Sequence, residues 1–315
     1  MHGTRSGAHH YLRFCERTGR GHDVAPSYHK MVGNVLAWMA DAVQAYKDPK
    51  TGKLKKALST SSIPTYLSHI DQWYAITTGT PRGLLQRNEE VTRHRRIITA
   101  NYGSARRQVH GITYEKLSGL CRRAGENGKK QGAMLRAAYT LAWFALLRPT
   151  EYMLTPLHSR FDKTRHMRAG DITFWRGSEQ LHQGDGRAPD RMRVNVKQSK
   201  TDSSRLGAIL VVGSTATAEC PVRAMWAYMH TWKPKATGPV FPGLRYTTML
   251  KMTRRLLGAD SELYGMHSFR VGGAQAMALA GCSAVYIMSR GRWKHVESVS
   301  RYVEATEEVK AADSA

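Results

Sequence analysis

From Tyr28 onward the apolar residues recur at helical spacing. Met31, Val32, Val35, Leu36, Met39 and Val43 fall at steps of three and four, which places them on one face of a helix. Asp48 to Lys56 breaks that helix with a Pro, a Gly and a run of lysines. A second helical face follows Ser61 and Ser62, carrying Tyr66, Leu67, Ile70, Trp73 and Tyr74, and Gly79 and Pro81 end it. A third helix is predicted around Glu89 to Ile98, with Arg93, Arg95 and Arg96 on it, before a basic linker over Tyr102 to Arg107. Residues 1–26 are rich in Gly, His and Arg without periodicity and read as a mobile basic arm. The first unit is thus a small helical bundle over 27–108.

The second unit, 109–315, opens with a helix over Tyr114 to Arg123 behind Thr113. A nearly continuous apolar run, roughly Gln131 to Leu147, predicts the central core helix. Strand signals come only after it. Asp171 to Trp175 is a short β candidate, and RMRVNVKQSK and GAILVVG read as two strands joined by a polar turn. Helical patterns resume at Pro221. Helices, then short antiparallel strands, then helices make a mostly α, α+β chain rather than a doubly wound one.

Composition changes the picture through charge. The chain has 315 residues, with Lys+Arg 48 against Asp+Glu 24, for a formal net charge of +24. Residues 1–110 hold 17 basic and 7 acidic side chains and residues 111–315 hold 31 and 17, so both units are positive and the excess is not a detachable tail. A polyanion is the expected partner. No apolar run approaches the roughly 18 residues that span a bilayer, and the opening MHGTRSGAHH has no signal-peptide core. The expectation is a soluble, intracellular protein without membrane association. Cys15, Cys121, Cys220 and Cys282 are far apart with no CxxC pair, which fits reduced thiols better than a zinc ribbon or a disulfide framework.

Several separated residues carry reactive chemistry. Arg148, in LLRPTE, precedes a proline suited to a first helical position, which predicts a helix junction with the guanidinium pointing outward. Lys200 is placed at the tip of the predicted hairpin, where an ammonium can swing into a site. His267 and Arg270 in HSFR are three apart on a helix whose Gly272 and Gly273 permit close packing. Trp293 stands nine residues before Tyr302, in a last helix whose buried stripe is read as Val296, Val299 and Val303. Singly, each residue type is common in structural roles. Together and in this order, they resemble the tyrosine recombinase (phage integrase) family, and are most similar to the recombinases of Crypton and DIRS-type mobile elements. The matching pieces are LLRPTE, KQSKTDSSRLGA, HSFR, GRW and RYVE, supported by CPVRAM, GPVFPG and, in the first unit, TYLSHIDQWY. In GRW an arginine, Arg292, separates glycine from tryptophan. His295 lies close by as a second occupant of the His/Trp position.

The resemblance implies a helical core-binding domain followed by a catalytic domain, and strand cleavage and rejoining on double-stranded DNA. Arg148 and Arg270 would clamp the non-bridging oxygens of the scissile phosphate, which gain charge in the transition state, so the reaction needs no metal and no cofactor. Trp293 would donate its indole N–H to that phosphate, and His267 would bond it or move protons. Tyr302 would attack phosphorus to give a 3′-phosphotyrosine link and a free 5′-hydroxyl, and Lys200 would protonate the leaving oxygen. Glu151 would orient or neutralise its neighbours. The family further implies a homotetramer on two DNA sites, recombination or integration of a mobile element, and a nuclear location in a eukaryotic source or a cytoplasmic one otherwise.

Three alternatives stand beside this reading. A metal-dependent nuclease would use Asp171, Asp185, Asp190 and Asp202. A recombinase-derived protein could hold DNA without cutting it, and a type IB topoisomerase-like activity would relax supercoils without site preference.

Overall fold

The computed structural model describes residues 6–20, 26–48, 52–103, 110–156, 158–182, 184–197, 207–259, 261–297 and 299–300. The chain divides into two compact units, Met1–Arg107 and Gln108–Ala315.

The first unit is helical. It comprises α1 (Ser6–Arg17), α2 (Tyr28–Ala42), a two-residue ribbon of β1 (Tyr46–Lys47) and β2 (Leu54–Lys55), then α3 (Ile63–Thr78), α4 (Leu84–Arg87) and α5 (Glu89–Tyr102). Ser27 caps α2 by accepting the Lys30 N–H, and Asn88 caps α5 by accepting that of Val91. The predicted faces are the buried ones: Met31, Val32, Val35, Met39 and Val43 meet Leu67, Ile70 and Tyr74 in one core, with Leu36 partly buried and Trp38 joining from outside the predicted face.

Helix α1 corrects the expectation of a mobile arm over 1–26. Its Tyr11, Phe14 and Cys15 are buried in that same core. His10, which reads as a polar tail residue, accepts the Trp38 indole N–H at 3.0 Å, and burial holds its pKa below the ordinary histidine value. The helix is amphipathic, but its buried face is built from Gly7, Ala8, Tyr11, Phe14 and Cys15 rather than from large aliphatic residues.

The second unit is mostly helical with a small antiparallel sheet. Helices α6 (Tyr114–Ala124), α7 (Lys129–Phe144) and α8 (Pro149–Tyr152) precede β3 (Ile172–Arg176), β4 (Glu179–Leu181), β5 (Arg191–Val196) and β6 (Ala208–Gly213). The strand order is β4-β3-β5-β6, every pair antiparallel, with Phe174 opposite Met192 and Met192 opposite Val212. Alternation puts Ile172, Phe174, Met192, Val194, Leu210 and Val212 on the buried face. Four helices follow: α9 (Pro221–Trp232), α10 (Tyr246–Leu257), α11 (Ser268–Leu279) and α12 (Ala284–Gly291).

Helix α7 is the core helix, with Leu135, Ala138, Tyr139, Leu141 and Ala142 fully buried. It ends at Phe144, three residues before the expected Leu147. Gly272 and Gly273 let α11 sit directly on this region. A Cβ at 272 would lie 1.9 Å from the Ile112 carbonyl oxygen, and one at 273 would lie 2.2 Å from that of Trp143. Three short elements, α4, β4 and the β1–β2 ribbon, have no counterpart in the hydrophobic pattern because two to four residues carry no measurable period. Among the described residues no helix is long and apolar enough to cross a membrane.

Candidate active site

The site is built on the break after α7. Leu146 adopts φ +48, a left-handed conformation that a bulky side chain rarely takes and that costs about 1–3 kcal/mol. Its side chain is fully buried with Ala274, Ala278, Ile287 and Val299, which holds the turn in place. Its carbonyl accepts hydrogen bonds from two arginines far along the chain, Arg270 Nη1 at 2.6 Å and Arg292 Nη2 at 3.2 Å.

Arg148 follows two residues later. It is extended, as its position before Pro149 requires, and Pro149 opens α8. Glu151, on the first turn of α8, accepts the Arg148 backbone N–H at 2.8 Å on Oε2 and its Nη1 at 3.1 Å on Oε1. The Arg148 guanidinium therefore does not point freely outward as expected. The Glu151 carboxylate holds it, and its side chain is 14% exposed.

Arg270 comes from the first turn of α11 and is fully buried. Besides the Leu146 carbonyl, it donates through Nη2 to the Gly291 carbonyl, and its guanidinium lies over the Trp293 ring at 4.1 Å. Gly291 makes room for that ring, because a Cβ there would overlap Trp293 at 1.7 Å. Trp293 thus fills the position beside Arg270, whereas His295 is exposed. The expected stripe of valines is half wrong: Val299 is buried, but Val296 is 48% exposed, because the chain bends through 292–296 before turning helical at 297. Val303 lies outside the described residues.

His267 forms the N-terminal cap of α11. Crowding by protein atoms, then the Arg270 and Arg148 charges, push its pKa down to about 4. Solvent reaches the ring and screens part of this effect, but two neighbouring cations fix the direction, so the imidazole is neutral near pH 7.

One residue of the site escaped sequence reasoning. Arg292, at the end of α12, also takes a left-handed conformation, φ +58, and its Nη2 donates to Glu151 Oε2 at 2.8 Å. Its only sequence signal is an arginine directly after a helix-ending glycine. Arg148, Glu151, His267, Arg270, Arg292 and Trp293 thus converge from three segments into a cationic cluster of guanidinium donors. Arg148 and His267 reach solvent and can meet a phosphodiester, whereas Arg270 is buried with its terminal nitrogens on backbone carbonyls and Arg292 is taken up by protein acceptors. Lys200 and Tyr302 lie outside the described residues.

Asp171 accepts from Lys197 Nζ at 2.8 Å and from Arg168 Nη2 at 2.9 Å; burial alone would raise its pKa, but these bonds hold it low. Asp185 is bonded to Arg187, and Asp190 to Arg191 and the Gly177 N–H. Asp202 lies outside the described residues. Among the described residues no three His, Cys, Asp or Glu are grouped to hold a metal ion.

No protein-family model matches the chain and no curated protein matches it. Among solved structures, a lambda integrase dimer bound to a COC′ core site aligns with a TM-score of 0.52 at 15% identity, covering 93% of this chain and 70% of that one. The chain shares the lambda integrase fold. At that identity the likeness is one of fold alone. Lambda integrase bound to DNA aligns at 0.47 and 13% identity over 89% of this chain and 82% of that one, and XerA recombinase at 0.43 and 12% over 98% of each. This chain is mostly helical with a small antiparallel sheet, as its hydrophobic pattern predicts.

Proposed function

We propose that the protein cleaves and rejoins DNA strands through a 3′-phosphotyrosine intermediate, with Tyr302 as nucleophile. The observation that carries this is the convergence of Arg148 and Arg270, 122 positions apart, on one site, with His267 close to both and Trp293 stacked on Arg270. Two guanidiniums with fork geometry suit the two non-bridging oxygens of a phosphodiester. The net charge of +24 and the core site bound in the lambda integrase dimer structure support DNA as the substrate.

In this scheme the Tyr302 hydroxyl loses its proton and attacks phosphorus. The bond to the 5′ oxygen breaks, and Lys200 protonates the leaving oxygen. Arg148 holds the pentacovalent phosphate together with Arg270, which exchanges a backbone carbonyl for a phosphate oxygen; Trp293 packs against the Arg270 guanidinium, and neutral His267 takes up the Tyr302 proton. The covalent bond conserves the phosphodiester energy, so attack by a 5′-hydroxyl of a second duplex rejoins strands without ATP. Recombination of a mobile element by four protomers on two sites, acting in the nucleus of a eukaryotic source, is the biological form we assign to this chemistry.

The test is covalent capture. The full chain is incubated with a nicked, randomised duplex library, denatured, and the attached strands sequenced. The expected result is a protein–DNA adduct that Tyr302→Phe abolishes while duplex affinity survives. An adduct that persists in Tyr302→Phe, or tight duplex binding by the native protein without any adduct, overturns the proposal, the latter in favour of a non-cutting DNA-binding protein.

A further inference from the structure

Arg292 has no part in the cleavage steps proposed above, yet its geometry is the least ordinary in the site. It ends α12 with φ +58, a position where glycine is free of strain and arginine is not. Its side chain turns inward to 10% exposure instead of reaching into water, and burial lowers its pKa. Both terminal nitrogens are engaged. Nη1 donates to the Ala145 and Arg290 carbonyls at 3.4 and 3.2 Å, and Nη2 to the Leu146 carbonyl at 3.2 Å and Glu151 Oε2 at 2.8 Å. These bonds account for the four N–H groups of the two terminal nitrogens.

Two of the acceptors are shared. Glu151 is also the acceptor of Arg148, and the Leu146 carbonyl is also the acceptor of Arg270. We propose that Arg292 is a positioning residue that locks the two phosphate-binding arginines to one another, reaching Arg148 through Glu151 and Arg270 through the Leu146 carbonyl. This inference rests on the strand-cleavage reading for its consequence, though not for its geometry. Without Arg292, Oε2 of Glu151 loses a charged donor and can draw the Arg148 guanidinium toward itself. The Leu146 carbonyl is then free to reorient and to carry Arg270 with it. A misplacement of about 1 Å at a reacting centre costs on the order of 100-fold in rate.

The test compares the full-length native protein with Arg292→Gly, which keeps the left-handed turn without strain, and Arg292→Lys, which keeps the charge but reaches one acceptor at a time. On the duplex recovered by covalent capture, the single-turnover rate of adduct formation at saturating protein is expected to fall about 100-fold in Arg292→Gly, with Arg292→Lys in between. In DNA-free protein, arginine-selective nitrogen NMR should show slow guanidinium rotation for Arg148 and Arg270 that becomes fast in Arg292→Gly. Adduct formation at the native rate by Arg292→Gly overturns the proposal. So do unchanged Arg148 and Arg270 signals, whether or not DNA is cut. If the native protein forms no adduct, the strand-cleavage reading falls and the spectra alone decide the clamp. If Arg292→Gly does not fold, Arg292→Lys supplies the same comparison.

Discussion

Glu151 and Arg292 stand 141 positions apart and meet at 2.8 Å, their side chains 1% and 10% exposed. The carboxylate also takes the side chain and the backbone N–H of Arg148. One anion therefore organises two guanidiniums that are far apart in the sequence of the second unit. Desolvating such a group is costly, and the cost is offset only while all of its partners are present.

Glu151→Gln preserves the shape and removes the charge. Two largely buried guanidiniums then face a neutral amide, and the loss of stability should be about 3–5 kcal/mol by urea unfolding. Combined with Arg292→Gly, the two losses should be strongly non-additive, since each variant breaks the same pair. Additive losses would show that the pair contributes nothing by itself.

The low pKa of His267 makes a prediction about acid. In the unfolded chain the imidazole titrates near 6.5, whereas in the fold its crowded surroundings, Arg270 and Arg148 bring it to about 4. Between those values the unfolded chain takes up a proton that the folded one refuses, so stability falls as pH drops from about 6.5 to about 4 and is unaffected above that window. Thermal midpoints at pH 7 and pH 4.5 should fall further for the native protein than for His267→Gln. Equal falls would reject the assignment.

Phe14 distinguishes a helix of the core from a basic arm. It is 3% exposed among Tyr11, Met31 and Trp38, so Phe14→Ala should cost about 3–5 kcal/mol in the first unit. Removal of residues 1–20 should expose that core to a hydrophobic dye. Unchanged unfolding of either variant would restore the arm.

Much of this architecture is legible in the chain because its causes are local. The faces of α2, α3 and α7 are written as apolar residues at helical steps, and the sheet as alternation over Arg191–Val196 and Ala208–Gly213. Gly272 and Gly273 announce the close approach of α11 before its neighbour is known. Five of the residues chosen for their chemistry, Arg148, Glu151, His267, Arg270 and Trp293, do share one site. None is informative singly in a chain with 48 basic residues; what picked them out is the order of the separated motifs that carry the resemblance.

What the chain could not reveal is conformation imposed from a distance. Helix α1 hides in a stretch of Gly, His and Arg because its buried face gains meaning only against Trp38 and Tyr66. The apolar run through Leu147 reads as unbroken helix, yet tertiary packing of the Leu146 side chain outweighs local preference and turns its carbonyl toward two arginines. Arg148 looks free until Glu151 is folded beneath it, and Arg292 looks like one more surface charge among 48 basic residues. Sequence by itself determined which groups are available and which helix or strand carries them, since periodicity and side-chain chemistry are properties of neighbouring residues. Only the tertiary structure decided how those groups are aimed, because a buried charge takes its direction from the partners that replace its water, and here those partners come from the far end of the chain.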